Sequence, residues 1–197
     1  STYFGGAGTI GLAKGKWYYE VEGFAGWNGG SIGISANPMD EATGDSMPSQ
    51  ATYGSSYNSD GVVRLNNANA DTGMGTYADG DVIGVYMDLD NNKIYYAKNG
   101  TILNSGTGWT ITAPASTPHG FYFPEWGDLD GSGGSFFGLN FGNGWFKVTK
   151  LTGTTYSDAQ GQGIFKYSPN DGGAASFDST AKDFLAICTK NLKSYGG

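Results

Sequence analysis

The most regular alternation in the chain runs from Asp81 to Gly100, DVIGVYMDLDNNKIYYAKNG. Ile83, Val85, Met87 and Leu89 fall on one face of an extended segment, and Gly84, Tyr86 and Asp88 on the other. That period of two belongs to a strand with one buried face. Asp90-Asn91-Asn92-Lys93 follows, where Asx side chains tolerate left-handed backbone and bond locally. Ile94 to Ala97 is β-branched and aromatic, and Asn99-Gly100 signals a further turn. The pattern predicts a hairpin, and two such arms need other strands over their apolar face.

The same period recurs along the chain. Trp17, Tyr19 and Val21 share one face, Tyr18, Glu20 and Glu22 the other. Ser31 to Ser35 places Ile32 and Ile34 inward, and Gly33 leaves the outer face bare, as where another backbone approaches closely. Phe121 to Phe123 and Phe136 to Phe141 read as aromatic strands, Thr101 to Ile111 as a weak one, and Ile164 to Tyr167 as a short one ended by Pro169. Between them, Ala36–Ala51, Asn66–Gly80 and Glu125–Ser135 are polar or acidic and lack a period, so they are predicted loops. Ser1 to Gly15 is glycine-rich with scattered anchors. Near the C-terminus, Asp178 or Ser179 would cap a short helix or irregular tail carrying Phe184, Ile187, Cys188 and Leu192 on one stripe. No long helix interrupts the strands. The expected fold class is therefore all-β, an antiparallel two-sheet sandwich of jelly-roll type with a short, partly helical or irregular tail.

Composition supports that reading. The 35 glycines and six prolines discourage helices, and 15% aromatic residues are too many for a disordered chain. At 197 residues one domain is the simplest expectation. Eighteen acidic against 11 basic residues give a net charge of −7, which disfavours nucleic-acid binding because no counterions would be released. Cys188 is the only cysteine and His119 the only histidine. An internal disulfide, paired-cysteine zinc sites and most Ser–His–Asp chemistry are thereby removed. No apolar run approaches the roughly 20 residues of a membrane helix, and no cofactor is expected. The sequence opens at Ser1, so processing or a longer parent chain is expected.

Three stretches resemble the SPRY domain family: GKWYYEVEG with SIGIS, then DVIGVYMDLDNNKIYYAKNG, then YFPEW with FFGLNFGNGWF. The resemblance covers roughly Gly15 to Val148. It implies a twisted sandwich of about a dozen strands whose loops bind partner proteins. By position, those loops are Ala36–Ala51, Asn66–Gly80 and Glu125–Ser135. The tail, GQGIFKYSPNDG…FLAICTKNL, resembles a C-terminal extension attached to SPRY-like domains in bacteriophage and other viral structural proteins. Ile187 departs from the leucine usual in that pattern. The resemblance implies a virion protein, and the expected organisation is a SPRY-like sandwich over 1–150 with residues 151–197 as an extension on the same domain.

Candidate site residues are few. Trp27, Tyr53, Tyr57, Tyr77, Trp109 and Trp126 lie in or beside predicted loops, where rings give contact area at low entropic cost. The plainer reading is that such rings cap the ends of the sheets. Asp128 and Asp130 beside Glu125 are weak candidates for a cation site, with a solvated acidic loop the simpler account. Glu125 with Asp128 or Asp130 imitates a glycosidase carboxylate pair, but a flexible loop does not hold two carboxyls at a set distance. Asp88, Asp90, Asn91 and Asn92 serve a turn in preference to calcium. Cys188 reads as a small buried hydrophobe.

The leading expectation is a non-enzymatic virion component, a phage fibre, tail or surface protein outside the cell, that binds other virion proteins, a host receptor or copies of itself. A cellular SPRY-type peptide-binding module is one alternative. A carbohydrate-binding or glycan-degrading jelly roll is the other.

Overall fold

The computed structural model of the chain describes residues 4–24, 29–38, 47–128, 136–170 and 183–195. In chain order the strands begin with β1 Phe4–Ala7, β2 Lys16–Phe24, β3 Gly30–Ser35, β4 Gly54–Asn58, β5 Val63–Leu65 and β6 Ala68–Asp71. Next come β7 Val82–Asp88, β8 Lys93–Lys98, β9 Thr101–Ile102, β10 Trp109–Thr110 and β11 Phe123–Asp128. The last are β12 Phe136–Asn140, β13 Trp145–Phe146, β14 Thr149–Lys150 and β15 Leu185–Ala186, followed by helix α1 Thr189–Tyr195. They fall into two compact units interleaved along the sequence.

The first unit comprises Ser1–Ala13, Gly23–Gly80 and Ile111–Phe136. Its sheet runs β1-β11-β3-β4-β5-β6. Ile32 lies opposite Trp126 on one side and Tyr57 on the other, and Ile34 opposite Pro124 and Ser55. Ile32, Ile34, Tyr57 and Val63 have no exposed surface. Three elements differ from expectation. The Gly-rich N-terminus yields β1, whose Gly6 sits opposite Trp126, and a Cβ there would lie 2.7 Å from the indole ring. The predicted loop Asn66–Gly80 contains β6, because Asn66 and Asn67 adopt φ values of 49° and 60°, the two left-handed positions of a hairpin turn. The predicted loop Glu125–Ser135 is strand over its first four residues, since β11 continues through Asp128, and residues 129–135 lie outside the described residues.

The second unit comprises Lys14–Glu22, Asp81–Thr110 and Phe137–Gly197. Its sheet runs β10-β8-β7-β2-β12, with β9 on β8 and β15 on β2. The predicted hairpin is β7 and β8, closed by Asx chemistry: Asp88 Oδ1 accepts from Asn91 N at 3.0 Å, and Asn92 has φ 54°. Asn99 at φ 49° and Gly100 at φ 79° turn the chain again into β9. In register, one face carries the rows Trp17–Met87–Ile94 and Tyr19–Val85–Tyr96, and the other Tyr18–Tyr86–Tyr95 and Glu20–Gly84–Ala97.

The expectation of one buried face is corrected here, because every residue of β7 is buried. The second face is covered by the chain's own C-terminal part: Phe165, Phe184 and Ala186 cluster with Tyr18, Tyr86, Tyr95, Ala97 and Ile102. The tail is corrected too. Phe184 to Ile187 is not helical; Leu185 and Ala186 pair in parallel with Trp17 and Tyr18, and the helix starts only at Thr189. The β2 edge offers backbone partners there, so alternation wins over the helical stripe. The proposed caps Asp178 and Ser179 lie outside the described residues. Cys188 is half-buried against the same cluster.

Candidate binding surface

Of the six candidate rings, the structure turns three inward. Tyr57 and Tyr77 meet edge to face with centroids 4.9 Å apart, and both are buried. The Tyr77 hydroxyl donates to the carbonyls of Gly30 at 2.7 Å and Tyr57 at 3.0 Å, while the Tyr57 hydroxyl donates to the Gly75 carbonyl. Both rings therefore face the sheet and cannot meet a partner. They brace the segment after β6, which is also held by Met74 N to Gly61 O at 3.0 Å and Tyr77 N to Ser59 O at 3.2 Å. Trp109 is likewise buried, tilted against Tyr96 at 5.9 Å, because β10 extends the sheet at that point.

Tyr53 and Trp126 remain partly exposed in the first unit. The Tyr53 carbonyl accepts from Ala36 N at 2.9 Å. Beside it, Asn37 Oδ1 lies 3.2 Å from His119 Nε2. Burial, only partly offset by the bond to Thr112, pushes the Tyr122 hydroxyl up to about 12. Trp27 lies outside the described residues, as do residues 39–46, half of Ala36–Ala51; the described part of that predicted loop is largely buried, with Ala36, Met47, Ser49 and Ala51 showing no exposed surface.

The weak metal candidates are not assembled. Glu125 and Asp128 are buried in β11, and their odd separation along a strand turns them to opposite faces. They cannot grip one ion, nor act as a carboxylate pair on one bond. Asp130 lies outside the described residues. Among the described residues no group of three or more His, Cys, Asp or Glu could hold a metal.

Two carboxylates that the sequence reading passed over organise the second unit. Glu20 is fully buried and faces four donors. Its Oε1 accepts from the Tyr18 hydroxyl at 3.0 Å and Tyr167 N at 2.8 Å, and its Oε2 from Asn140 Nδ2 at 3.0 Å and Lys166 N at 2.9 Å. Burial nevertheless outweighs these bonds and pushes the carboxyl up to about 7. Burial, then the Glu20 charge, holds the Tyr18 hydroxyl well above its usual range. Asp158 does for the tail what Glu20 does for residues 166–167. Its Oδ1 accepts from Gln160 N and Gln162 N, and its Oδ2 from Ala186 N at 2.8 Å and Asn191 Nδ2 at 2.6 Å. The available signal for Glu20 was its company: Tyr18, Tyr86 and Tyr95 are too many rings for a solvated face.

The surface of the second unit offers a cleft of about 440 Å³ lined by Lys14, Lys16, Asp90, Asp183 and Tyr195 among others. It also carries the short β13–β14 hairpin, with Trp145 and Val148 exposed. In the first unit the braced segment after β6 presents Asp79 to solvent, and the β4–β5 turn to which it is bonded presents Asp60. Each unit thus presents a surface of mixed charge and apolarity on an ordered support, of a kind that suits docking of another macromolecule.

The SPRY domain family matches residues 16–122. The chain belongs to that family, whose members typically serve as protein-interaction modules. Among solved structures it is similar to the SPRY domain of human HERC1, with 14% identity, a TM-score of 0.56, and coverage of 76% of this chain and 86% of that one. A human SPRY domain matches with 21% identity, a TM-score of 0.53, and coverage of 76% and 87%. At these identities the likeness concerns the fold, an antiparallel β-sandwich with a short C-terminal helix, which is the class expected from the alternating pattern. No curated protein matches the chain.

Proposed function

We propose that this chain is a non-catalytic, protein-binding SPRY module that serves as a structural or recognition component of a virion, outside the host cell. The recognition half rests on one observation: the segment after β6 is held by two buried tyrosines, and by backbone bonds to the β4–β5 turn, onto a family fold typically used for protein interaction, so Asp79 and, on that turn, Asp60 stand on a stiff support. A stiff support lowers the ordering cost of binding. The virion half rests on the tail. Residues 161–192 carry the pattern resembling viral structural proteins, and its Phe165, Phe184 and Asn191 are buried.

The experiment is immunogold electron microscopy of gently purified native particles, using an antibody to this chain. Label on fibres or tails supports a host-contact role, and label spread over a capsid supports a decorating one. Absence of label from every particle sinks the virion half. The recognition half is tested separately, by capturing partners from the source with the native chain and with Asp79→Ala, Tyr53→Ala and Trp126→Ala. Capture that no surface substitution alters counts against it.

A further inference from the structure

The exposed apolar side chains of this protein are not scattered. Of the seven large ones among the described residues, four lie between 145 and 164: Trp145 at 40%, Val148 at 88%, Tyr156 at 40% and Ile164 at 44% exposure. Clustering of this kind marks an interaction surface more than chance exposure does. Trp145 and Val148 stand on the β13–β14 hairpin, whose register pairs Trp145 with Lys150 and Phe146 with Thr149. Lys147 and Val148 are therefore the whole turn.

The chemistry of that turn conflicts with folding. Lys147 has φ 51°, a left-handed position where glycine, asparagine or aspartate is at ease and lysine is strained. Val148 next to it is almost wholly in water. Val148 buries almost nothing in the hairpin, and Phe146, 2% exposed, is what anchors it. Local rules broken without a folding gain are expected where a surface is used. Beside the hairpin lies a groove of about 190 Å³ lined by Glu22, Phe146, Lys150, Leu151, Thr154 and Lys166.

Charge indicates the occupant. Residues 137–170 hold three lysines against a single carboxylate, Asp158, which is buried; Lys166 pairs with Glu22 at 3.7 Å, so the charge the hairpin itself presents is that of Lys147 and Lys150. Residues 1–136 hold 14 carboxylates against five basic side chains. The acidic part includes exposed Asp60 and Asp79 and half-buried Asp71, which the Met74–Gly61 and Tyr77–Ser59 backbone bonds hold on one end of the first unit's sheet. We propose that the Lys147-Val148 hairpin of one molecule docks on the acidic 59–80 end of a second copy. This deepens the recognition reading and rests on it. The two surfaces differ, so the contact is head-to-tail and propagates into a chain of molecules unless its rotation closes a ring.

Sedimentation velocity on the whole chain tests this at low and high salt. The native protein is expected to associate with rising concentration, and salt should weaken the association by screening. The double variant Lys147→Glu, Lys150→Glu and the double variant Asp60→Lys, Asp79→Lys should each associate at least about tenfold more weakly. Their equimolar mixture should associate again, since each then meets an opposite charge. Lys147→Gly separates surface from fold: it should raise the melting temperature by relieving the turn while weakening association. A native chain that stays monomeric at all concentrations overturns the proposal. So does association that ignores the hairpin variants, or a mixture that stays monomeric. A monomer that still labels particles or captures partners removes this contact alone and leaves the recognition reading standing.

Discussion

Replacing Glu20 by glutamine sets two effects against each other, and the geometry says which should win. All four partners of the carboxylate are donors, two of them backbone N–H groups. An amide with its NH₂ at the Oε2 position would face both Asn140 Nδ2 and Lys166 N. With its NH₂ at Oε1 it could donate to the Tyr18 oxygen, whose own proton can turn to Tyr86, but Tyr167 N–H would be stranded. The better orientation still leaves one buried donor unmatched, at about 1–3 kcal/mol. Protonated Glu20 avoids that loss, because its hydroxyl can donate to Tyr18 and still accept from Tyr167. The shift to about 7 from 4.5 means that the folded state binds a proton the unfolded state has released. Stability from this group is full below about pH 4.5 and is lost as pH rises through 7, by about 3 kcal/mol in all. The assay is urea unfolding of native and Glu20→Gln protein between pH 4.5 and 8. The native protein should lead at pH 5, and its lead should shrink as pH rises. A lead that is constant or grows with pH would mean that the four donors outweigh desolvation, and would refute the reasoning.

Three further outcomes follow from distances already given. Phe184→Ala removes a fully buried ring set edge-on to Tyr86 at 5.1 Å, and should cost about 3–5 kcal/mol in denaturant titration; a loss below about 1 kcal/mol would mean that the tail does not seal that face. At Gly84, a Cβ would meet the Tyr18 hydroxyl at 2.9 Å and its ring at 3.0 Å. Gly84→Ala should therefore cost about 1–3 kcal/mol, and an unchanged urea midpoint would argue against the close approach. Tyr77→Phe deletes the bonds to Gly30 and Tyr57. It should cost about 1–2 kcal/mol and speed hydrogen exchange across residues 72–80, with strand amides of the second unit unaffected; protection that stayed native in 72–80 would count against the brace.

Legibility in the sequence followed chain distance. The β7–β8 hairpin was plain because alternation and Asx turn chemistry lie within 20 adjacent residues, and β2 and β3 were plain for the same reason. Elements whose partner lies far away were not. β1 is Phe4, two glycines and Ala7, readable as a strand only once β11 is known to lie beside it with Trp126 across Gly6. Glu125 and Asp128 looked like loop carboxylates because a glycine-rich stretch follows, yet β11 holds them between β1 and β3. Tyr57 and Tyr77 were chosen as rings beside loops, and they are, but a hydroxyl that finds a backbone carbonyl carries its ring inward. Glu20 was placed only on the face opposite Trp17, Tyr19 and Val21, and its buried role becomes readable only when a covering layer brings donors with it.

That covering layer bears on where this domain ends. The family match stops at Tyr122, while the outer row Tyr18–Tyr86–Tyr95 depends for its burial on Phe165, Phe184 and Ala186, all beyond it. Each tyrosine offers roughly 150–250 Å², so the three rings laid bare would make an apolar patch of the size that marks an interface or an aggregation site. Such a sheet has two ways to stay soluble: place polar residues on the outer row, or bring a lid. This chain does the second, and the lid is fastened by polar groups buried with it, Glu20 under residues 166–167 and Asp158 under Ala186 and Asn191. A buried carboxylate makes a demanding fastener, because only a segment presenting matched donors satisfies it. The apolar cluster therefore supplies the driving force, and the two carboxylates select which segment may lie there and in what register.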